Sequence, residues 1–151
     1  NYYAKYKQIY LTHMRYIRQA TTTGKIMSPF GRLYEFNPRM NKRGELVYSE
    51  PDITNYPNQG CGADVMAVAR VAVRQRWKRA GITGRLISTV HDSIVADVPE
   101  HEVDQVVNLF DQVFKDLPQL VSQAYDTPWN IPMLGEVSVG PNMLELTEIK
   151  L

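Results

Sequence analysis

The chain has 151 residues, 44% of them hydrophobic, and a formal net charge of only +1. This length and composition indicate one globular domain and exclude a disordered or low-complexity protein. No apolar run approaches the roughly 20 residues of a membrane span, and no signal-peptide pattern begins the chain, so we expect a cytoplasmic protein with no membrane partner. The single cysteine, Cys61, excludes an internal disulfide. No initiator methionine begins the sequence, which predicts a piece of a longer protein.

The charges are distributed unevenly along the chain. Residues 1–85 contain 15 Lys or Arg and 5 Asp or Glu, whereas residues 86–151 contain 2 and 11. A basic half predicts a polyanionic partner. An acidic half predicts either a metal site or an ordinary solvated surface.

The first 51 residues predict a helix, a hairpin and a loop. Apolar residues recur at helical spacing from Tyr2 to Thr23, and Gly24 follows as a C-cap; they are Tyr3, Tyr6, Tyr10, Met14 and Ile17. The opposite face is basic and lies either along phosphates or simply in solvent; it carries Lys5, Lys7, Arg15 and Arg18. Pro29-Phe30-Gly31 predicts the turn of a hairpin. Residues 37–51 are polar and predict a surface loop.

A second helix is predicted to end at Ala80, with Gly81 beyond it. Asn58 is a candidate N-cap, and Asp64 would then lie in the early turns, where a negative charge is favourable. The buried face is expected to comprise Val65, Met66, Ala69, Ala72, Val73 and Trp77, while the far end is strongly basic.

The segment from Leu86 to Pro99 predicts a tight hairpin, because two β-branched runs meet at His91, Asp92 and Ser93. A carboxylate fixed at the end of a strand suits a hard divalent cation. Asp and Ser are also ordinary turn residues, so the pattern alone leaves both interpretations open.

The remaining residues predict a third helix from Pro99 to Pro118, a possible short helical turn over 119–124, and a strand over 136–139. One stripe of the third helix gives the strongest core signal; it comprises Val103, Val106, Val107, Phe110, Val113, Phe114 and Leu117. Helices and strands that do not alternate strictly indicate an α+β fold with an antiparallel sheet and helices packed on one face.

Several segments resemble motifs of one enzyme family. Val90-His91-Asp92-Ser93 resembles the third conserved motif of family A DNA polymerases, which usually reads Val-His-Asp-Glu. The segment from Asn55 to Asp64 is similar to the family's Asn-x-Pro-x-Gln-Gly-x-x-Ala-Asp sequence and lies upstream at the family's separation. Residues 2–32 resemble the outer-fingers helix and its Phe-Gly-Arg turn, and residues 136–140 resemble the last palm strand.

The resemblance implies template-directed transfer of nucleotides to a primer 3′-OH with two Mg²⁺ ions. It implies that Asp92 is catalytic and binds metal, that His91 contacts the primer end, and that Asn55, Gln59 and Arg32 contact DNA. Amide side chains suit the minor groove, where every correct pair offers similar acceptors. Asn55 and Gln59 could otherwise be helix-capping residues.

The expected architecture is the carboxy-terminal palm, residues 51–151, with the outer-fingers helix and hairpin in residues 1–50. The expected partners are primer–template DNA, a dNTP and the remainder of the polymerase, which comprises the upstream palm, fingers and thumb. The other metal-binding aspartate and the nucleotide-binding helix would precede Asn1, so the chain alone is expected to be inactive.

Two residues depart from the family pattern. Ser93 replaces the usual glutamate, which leaves Ser93 a minor role at the metal, and Pro51 stands where bacterial members carry arginine. Ser93 and the short tail after Gly140 favour a phage origin. Two alternatives remain: a non-catalytic DNA-binding accessory or inactivated palm domain, and a purely structural α+β domain.

Overall fold

A computed structural model describes residues 2–149 of the chain. Within this range all strands pair as two-stranded antiparallel sheets, and the mixture with helices confirms the predicted α+β class. The chain divides into two compact units, with the boundary between Gly62 and Ala63. The elements in chain order are α1 (Tyr2–Lys5), α2 (Lys7–Thr23), β1 (Lys25–Met27), β2 (Leu33–Glu35), β3 (Arg39–Met40), β4 (Leu46–Val47), α3 (Glu50–Arg79), β5 (Arg85–Val90), β6 (Ser93–Asp97), α4 (Val103–Tyr125), β7 (Val137–Val139) and β8 (Thr147–Ile149).

The predicted first helix is interrupted once. Tyr6 separates α1 from α2 with φ −118° and ψ 65°, which lie outside the helical region. The predicted C-cap is confirmed, because Gly24 has φ 71° and its N–H donates to the Ala20 carbonyl at 2.8 Å. Glycine adopts the left-handed (αL) conformation at this position without steric cost, because it has no Cβ.

The apolar stripe of this helix is mostly exposed, although Ile17 packs against the core of the first unit. Tyr3 is 42% exposed and Tyr10 is 45% exposed, and their rings contact each other with centroids 5.4 Å apart. The unit instead buries a small cluster made by Ala20, Ile26, Phe36 and Ile53. Helical spacing identified the stripe correctly, but spacing alone does not say what covers it.

The hairpin formed by β1 and β2 confirms the predicted turn. Gly31 has φ 81° and its N–H donates to the Ser28 carbonyl at 3.0 Å, while the Ser28 N–H donates to the Arg32 carbonyl at 2.8 Å. The register pairs Ile26 with Tyr34. Ile26 is fully buried, so one side of this hairpin is fixed in the unit's core.

Residues 37–51 lie at the surface as predicted, but they form a short hairpin and the start of α3 and not a loop. β3 and β4 pair there, and the Asn41 side-chain oxygen accepts from the N–H groups of Arg43 and Glu45 at 2.8 and 3.0 Å. Gly44 has φ 79°, as this turn requires. The strands are only two residues each, too short for a visible alternation of apolar residues.

Helix α3 begins eight residues before the predicted N-cap, Asn58, which therefore lies inside the helix. The Asp52 N–H points to the Ser49 hydroxyl at 3.5 Å, and Pro57 lies within the helix and is fully buried. Asp64 consequently lies in mid-helix and is buried, which corrects its predicted place in the early turns. The far end is close to the prediction, since α3 ends at Arg79 and Gly81 has φ 67°.

The second unit has the larger core. The stripe on α4 is confirmed in its main part, with Val106, Phe110, Val113 and Leu117 all buried. Pro118 does not end the helix, which continues through the proposed extra turn to Tyr125. Continued burial of the stripe, including the fully buried Val121, offsets the one backbone donor that proline removes.

The hairpin of β5 and β6 forms as predicted and packs against this core. Leu86, Ile94 and Ala96 contact a cluster that contains residues of α3 and α4, so the helices cover one face of the hairpin. The predicted strand near residue 136 is β7, and it pairs with β8, which the sequence did not reveal. Antiparallel pairing therefore occurs as four separate two-stranded sheets within the described residues.

None of the helices within residues 2–149 is long and apolar enough to cross a bilayer.

Candidate active site and nucleic-acid interface

Asp92 lies at the tip of the β5–β6 hairpin, in the second unit. Val90 pairs with Ser93, so His91 and Asp92 form a two-residue turn, and both side chains are exposed. His91 has φ 52°. A positive φ at the first turn residue matches the twist of the flanking strands, although a residue with a Cβ adopts it at some cost. The turn therefore presents the Asp92 carboxylate to solvent on a backbone defined by strand pairing.

The Ser93 hydroxyl closes this turn. It donates a hydrogen bond to the Val90 carbonyl at 2.9 Å. The hydroxyl proton is thus used within the hairpin, while the oxygen keeps lone pairs that can accept a further bond. This geometry leaves Ser93 suited at most to a weak or water-mediated contact with a cation.

The base of the hairpin is held by a buried carboxylate that sequence reasoning missed. Glu102, only 7% exposed, accepts from the N–H groups of Thr83 and Gly84 at 2.9 and 3.0 Å and from the Thr83 hydroxyl at 2.8 Å. These bonds, led by the Thr83 N–H, lower the pKa of Glu102, although burial opposes them. The Trp77 indole N–H donates to the Gly84 carbonyl at 3.1 Å and ties the same point to α3.

The lowered pKa of Glu102 predicts an acid-sensitive hairpin base. A carboxylate with a depressed folded pKa contributes stability above its unfolded pKa, about 4.3, and loses it as the pH falls through the folded pKa. Hydrogen-exchange protection of the Thr83 and Gly84 amides should therefore hold from neutral pH to about 4.3 and then decline. Glu102→Gln should abolish this decline and lower protection at neutral pH. The matched control is Glu100→Gln, and equal effects of both variants would contradict the prediction.

Arg70, one of the residues that make the far end of α3 basic, is a second residue that contacts the hairpin. Its guanidinium donates to the Thr89 hydroxyl at 3.3 Å, three residues before Asp92, and both side chains are exposed. The contact joins residues 19 positions apart. A local sequence pattern cannot show such a pairing. A basic residue on the helix that precedes the hairpin could nevertheless have indicated a candidate contact.

Asp92 fits the role of one ligand in a shared magnesium site. Among residues 2–149, His, Cys, Asp and Glu side chains do not gather in threes as a metal site would require. An exposed carboxylate oxygen is a donor that Mg²⁺ prefers, and Mg²⁺ is commonly held by one or two carboxylates together with substrate phosphates. A magnesium ion at Asp92 would need further ligands besides this carboxylate.

The predicted DNA-contacting amides lie in the first unit, on α3. Asn55 and Gln59 are four residues apart and therefore share one face of the helix, and both are exposed. They are helix-interior residues, so the capping interpretation does not apply to them.

Gly60, next to Gln59, is a point of close approach within the first unit. A Cβ added there would overlap the Tyr34 hydroxyl and lie 3.5 Å from the Arg32 Cδ. The β1–β2 hairpin thus brings Arg32 beside the turn of α3 that carries Gln59. His91 and Asp92 belong to the other unit.

Comparison with known proteins decides the family. The sequence profile of DNA polymerase family A matches residues 1–145. The chain belongs to DNA polymerase family A. It is 31% identical over 142 residues to DNA polymerase I of Pseudomonas aeruginosa, covering 93% of this chain and 15% of that protein. It is also 31% identical over 94 residues to the DNA polymerase of Bacillus phage SP01, covering 62% of this chain and 10% of the phage protein.

A solved polymerase domain has a similar fold. It is the POL domain of Pol1 from M. smegmatis in complex with DNA primer-template and dNTP, with a TM-score of 0.62 and 25% identity over 85% of this chain. The match covers 22% of that chain. This family A chain therefore spans 10% to 22% of the length of these three polymerases.

Proposed function

We propose that this chain supplies the carboxy-terminal palm and outer-fingers portion of a DNA-directed DNA polymerase. The observation that carries the proposal is the position of Asp92 in a family A chain, exposed at the tip of a two-residue turn whose base is anchored by Glu102 and Trp77. The partners are primer–template DNA, a dNTP and the rest of the polymerase, and the solved neighbour is itself a complex with the first two. The enzyme works in the cytoplasm of a bacterial cell, as a bacterial or phage protein.

Asp92 holds magnesium in this proposal. Bound Mg²⁺ stabilises the negative charge that develops on the attacking and leaving oxygens during nucleotidyl transfer. The contribution of this chain is position, since strand pairing and the anchored base fix the carboxylate before substrate arrives. His91, on the same turn, contacts the primer end. One carboxylate is too few protein ligands for two magnesium ions, so in this proposal the chain alone does not polymerise.

Asn55 and Gln59 monitor the newly formed base pair from the minor groove, and Arg32 contacts DNA beside them. Every correct pair presents acceptors at similar places in this groove, so an amide donor can test pair geometry without reading sequence. The i, i+4 spacing places both amides on one face of a single rigid helix. The close packing of Tyr34 at Gly60 holds the Arg32 hairpin against this part of α3.

Gln59→Ala tests the minor-groove role in the complete polymerase. One lost hydrogen bond of about 1 kcal/mol, or up to 3 if a buried partner is left unpaired, should slow extension from correct pairs about 5- to 150-fold. DNA affinity should change little because phosphate contacts dominate it. The matched control is Asn58→Ala, which removes an exposed amide from the next position on the helix. Normal extension and mismatch discrimination by Gln59→Ala would remove Gln59 from the interface.

Asp92→Asn tests the proposal as a whole, through single-turnover incorporation of a nucleotide by the complete polymerase in the presence of magnesium.

A further inference from the structure

The second half of α3 carries a row of exposed basic side chains. Arg70, Arg74 and Lys78 follow one another at four-residue steps, and each is exposed. Four residues correspond to about 6 Å along a helix, and side chains at this spacing lie on one face. We call these three residues the basic row. Their spacing is of the order of the separation between successive phosphates on a nucleic-acid strand.

The row is not the packing face of the helix. The side chains that α3 buries in the second unit include Ala72, Val73 and Trp77, which belong to the core cluster formed with α4. Arg76 lies on a different face of α3 and forms an ion pair with Asp116, with 2.6 Å between Arg76 Nη2 and Asp116 Oδ2. Ion pairs within residues 2–149 include no carboxylate partner for the basic row. Its charges are therefore available to an external anion.

The row begins beside the candidate active site. Arg70 donates to Thr89 at 3.3 Å, and Thr89 lies on the strand that leads into the Asp92 turn. This bond uses one of the five N–H donors of the guanidinium, so the others can reach a phosphate. The contact also fixes the end of the row relative to the hairpin. A polyanion whose charges lie along the row would therefore have one end near the proposed catalytic carboxylate.

We propose that the basic row binds successive phosphates of the DNA duplex that the polymerase extends, and so holds the duplex at the Asp92 hairpin. The proposal rests on the function proposed above and adds the residues that follow the DNA backbone. Lysine and arginine contacts to phosphate position a duplex without reading its sequence. The row therefore sets affinity for DNA, whereas Asp92 sets the rate of the chemical step.

The test uses the complete polymerase, a labelled primer–template duplex, and the variants Arg70→Gln, Arg74→Gln and Lys78→Gln, singly and together. Counterion release gives a slope of about 0.9 per phosphate contact in a plot of log affinity against log salt. Each single variant should flatten the slope by about this amount and weaken binding about 5- to 10-fold at 0.1 M salt. The loss should be the same for two unrelated duplex sequences. Incorporation is measured at saturating DNA as well, because this separates weaker DNA binding from a slower chemical step.

Arg79→Gln is the matched control, because it removes the same charge from the same helix but on a face that borders Gln105 and Asn108 of α4. Row variants that lose affinity and slope while Arg79→Gln does not would support the proposal. Equal losses in the row and the control, or no loss in either, would overturn it. Normal affinity with slow incorporation would also overturn it, since Arg70 would then act only by orienting the hairpin. Normal turnover by Asp92→Asn would count against the active site alone, because DNA affinity reports on the row independently.

Discussion

Asp92→Asn is expected to reduce single-turnover nucleotide incorporation by about 1,000-fold or more in the complete polymerase. The substitution keeps the size and turn-forming ability of the side chain but removes the charge that a magnesium ligand needs. Loss of several kcal/mol of transition-state stabilisation corresponds to about this factor. The two-residue turn and its strand pairing do not depend on the carboxylate, so folding and DNA affinity should be unchanged.

Three further variants test whether the loss of incorporation is specific to the Asp92 carboxylate. Asp97→Asn removes an exposed carboxylate from the far end of β6 and should leave incorporation unchanged. Ser93→Ala should have a mild effect because the hydroxyl bonds to the Val90 carbonyl, and Ser93→Glu should be tolerated since it restores the family's usual residue. Near-normal incorporation by Asp92→Asn, with fold and DNA affinity intact, would favour a non-catalytic DNA-binding domain.

Trp77→Ala is expected to destabilise the second unit by about 3–5 kcal/mol, the usual cost of truncating a buried aromatic residue to alanine. Trp77 is 6% exposed and contacts the cluster formed with α4 and the β5–β6 hairpin. Its indole N–H also bonds to Gly84 at the hairpin base. Hydrogen exchange of the polymerase, analysed for segments that cover α4 and β5, measures the opening free energy.

Trp77→Phe separates the two contributions of this side chain. Phenylalanine keeps most of the apolar contact but cannot donate to the Gly84 carbonyl, so a loss of about 1 kcal/mol from the missing bond is expected in addition to a smaller packing loss. The exposed Val71→Ala provides a reference on the same helix. Unchanged protection of α4 and β5 in Trp77→Ala would show that the hairpin is anchored by other contacts.

Local chemistry made several features predictable from the sequence. Gly24 and Gly81 mark helix ends because their positive φ angles are easily adopted only by glycine. The Asp92 hairpin was predictable because β-branched residues flank a short polar segment, a pattern that is complete within 14 residues. The α4 stripe was predictable because its apolar spacing persists over four turns.

Features that depend on tertiary contacts were not predictable in this way. Asn58 and Pro118 were predicted as helix boundaries, yet both lie inside helices. The bond from Arg70 to Thr89 and those from Thr83 and Gly84 to Glu102 join residues 18 or 19 positions apart, which no local pattern encodes. The exposed polar residues of the candidate site were therefore predictable from the sequence, but the residues that position them, such as Glu102 and Arg70, were not.

The backbone angle of His91 limits which amino acids can occupy that position, whatever their contact with DNA. At φ 52° a β-branched side chain would be severely crowded, whereas glycine, asparagine and aspartate adopt such an angle more readily. A library randomised at this codon and selected only for a folded protein should therefore be depleted of Val, Ile and Thr. A second selection for DNA synthesis should narrow the surviving set again, and the difference between the two sets would separate the steric requirement from the chemical one.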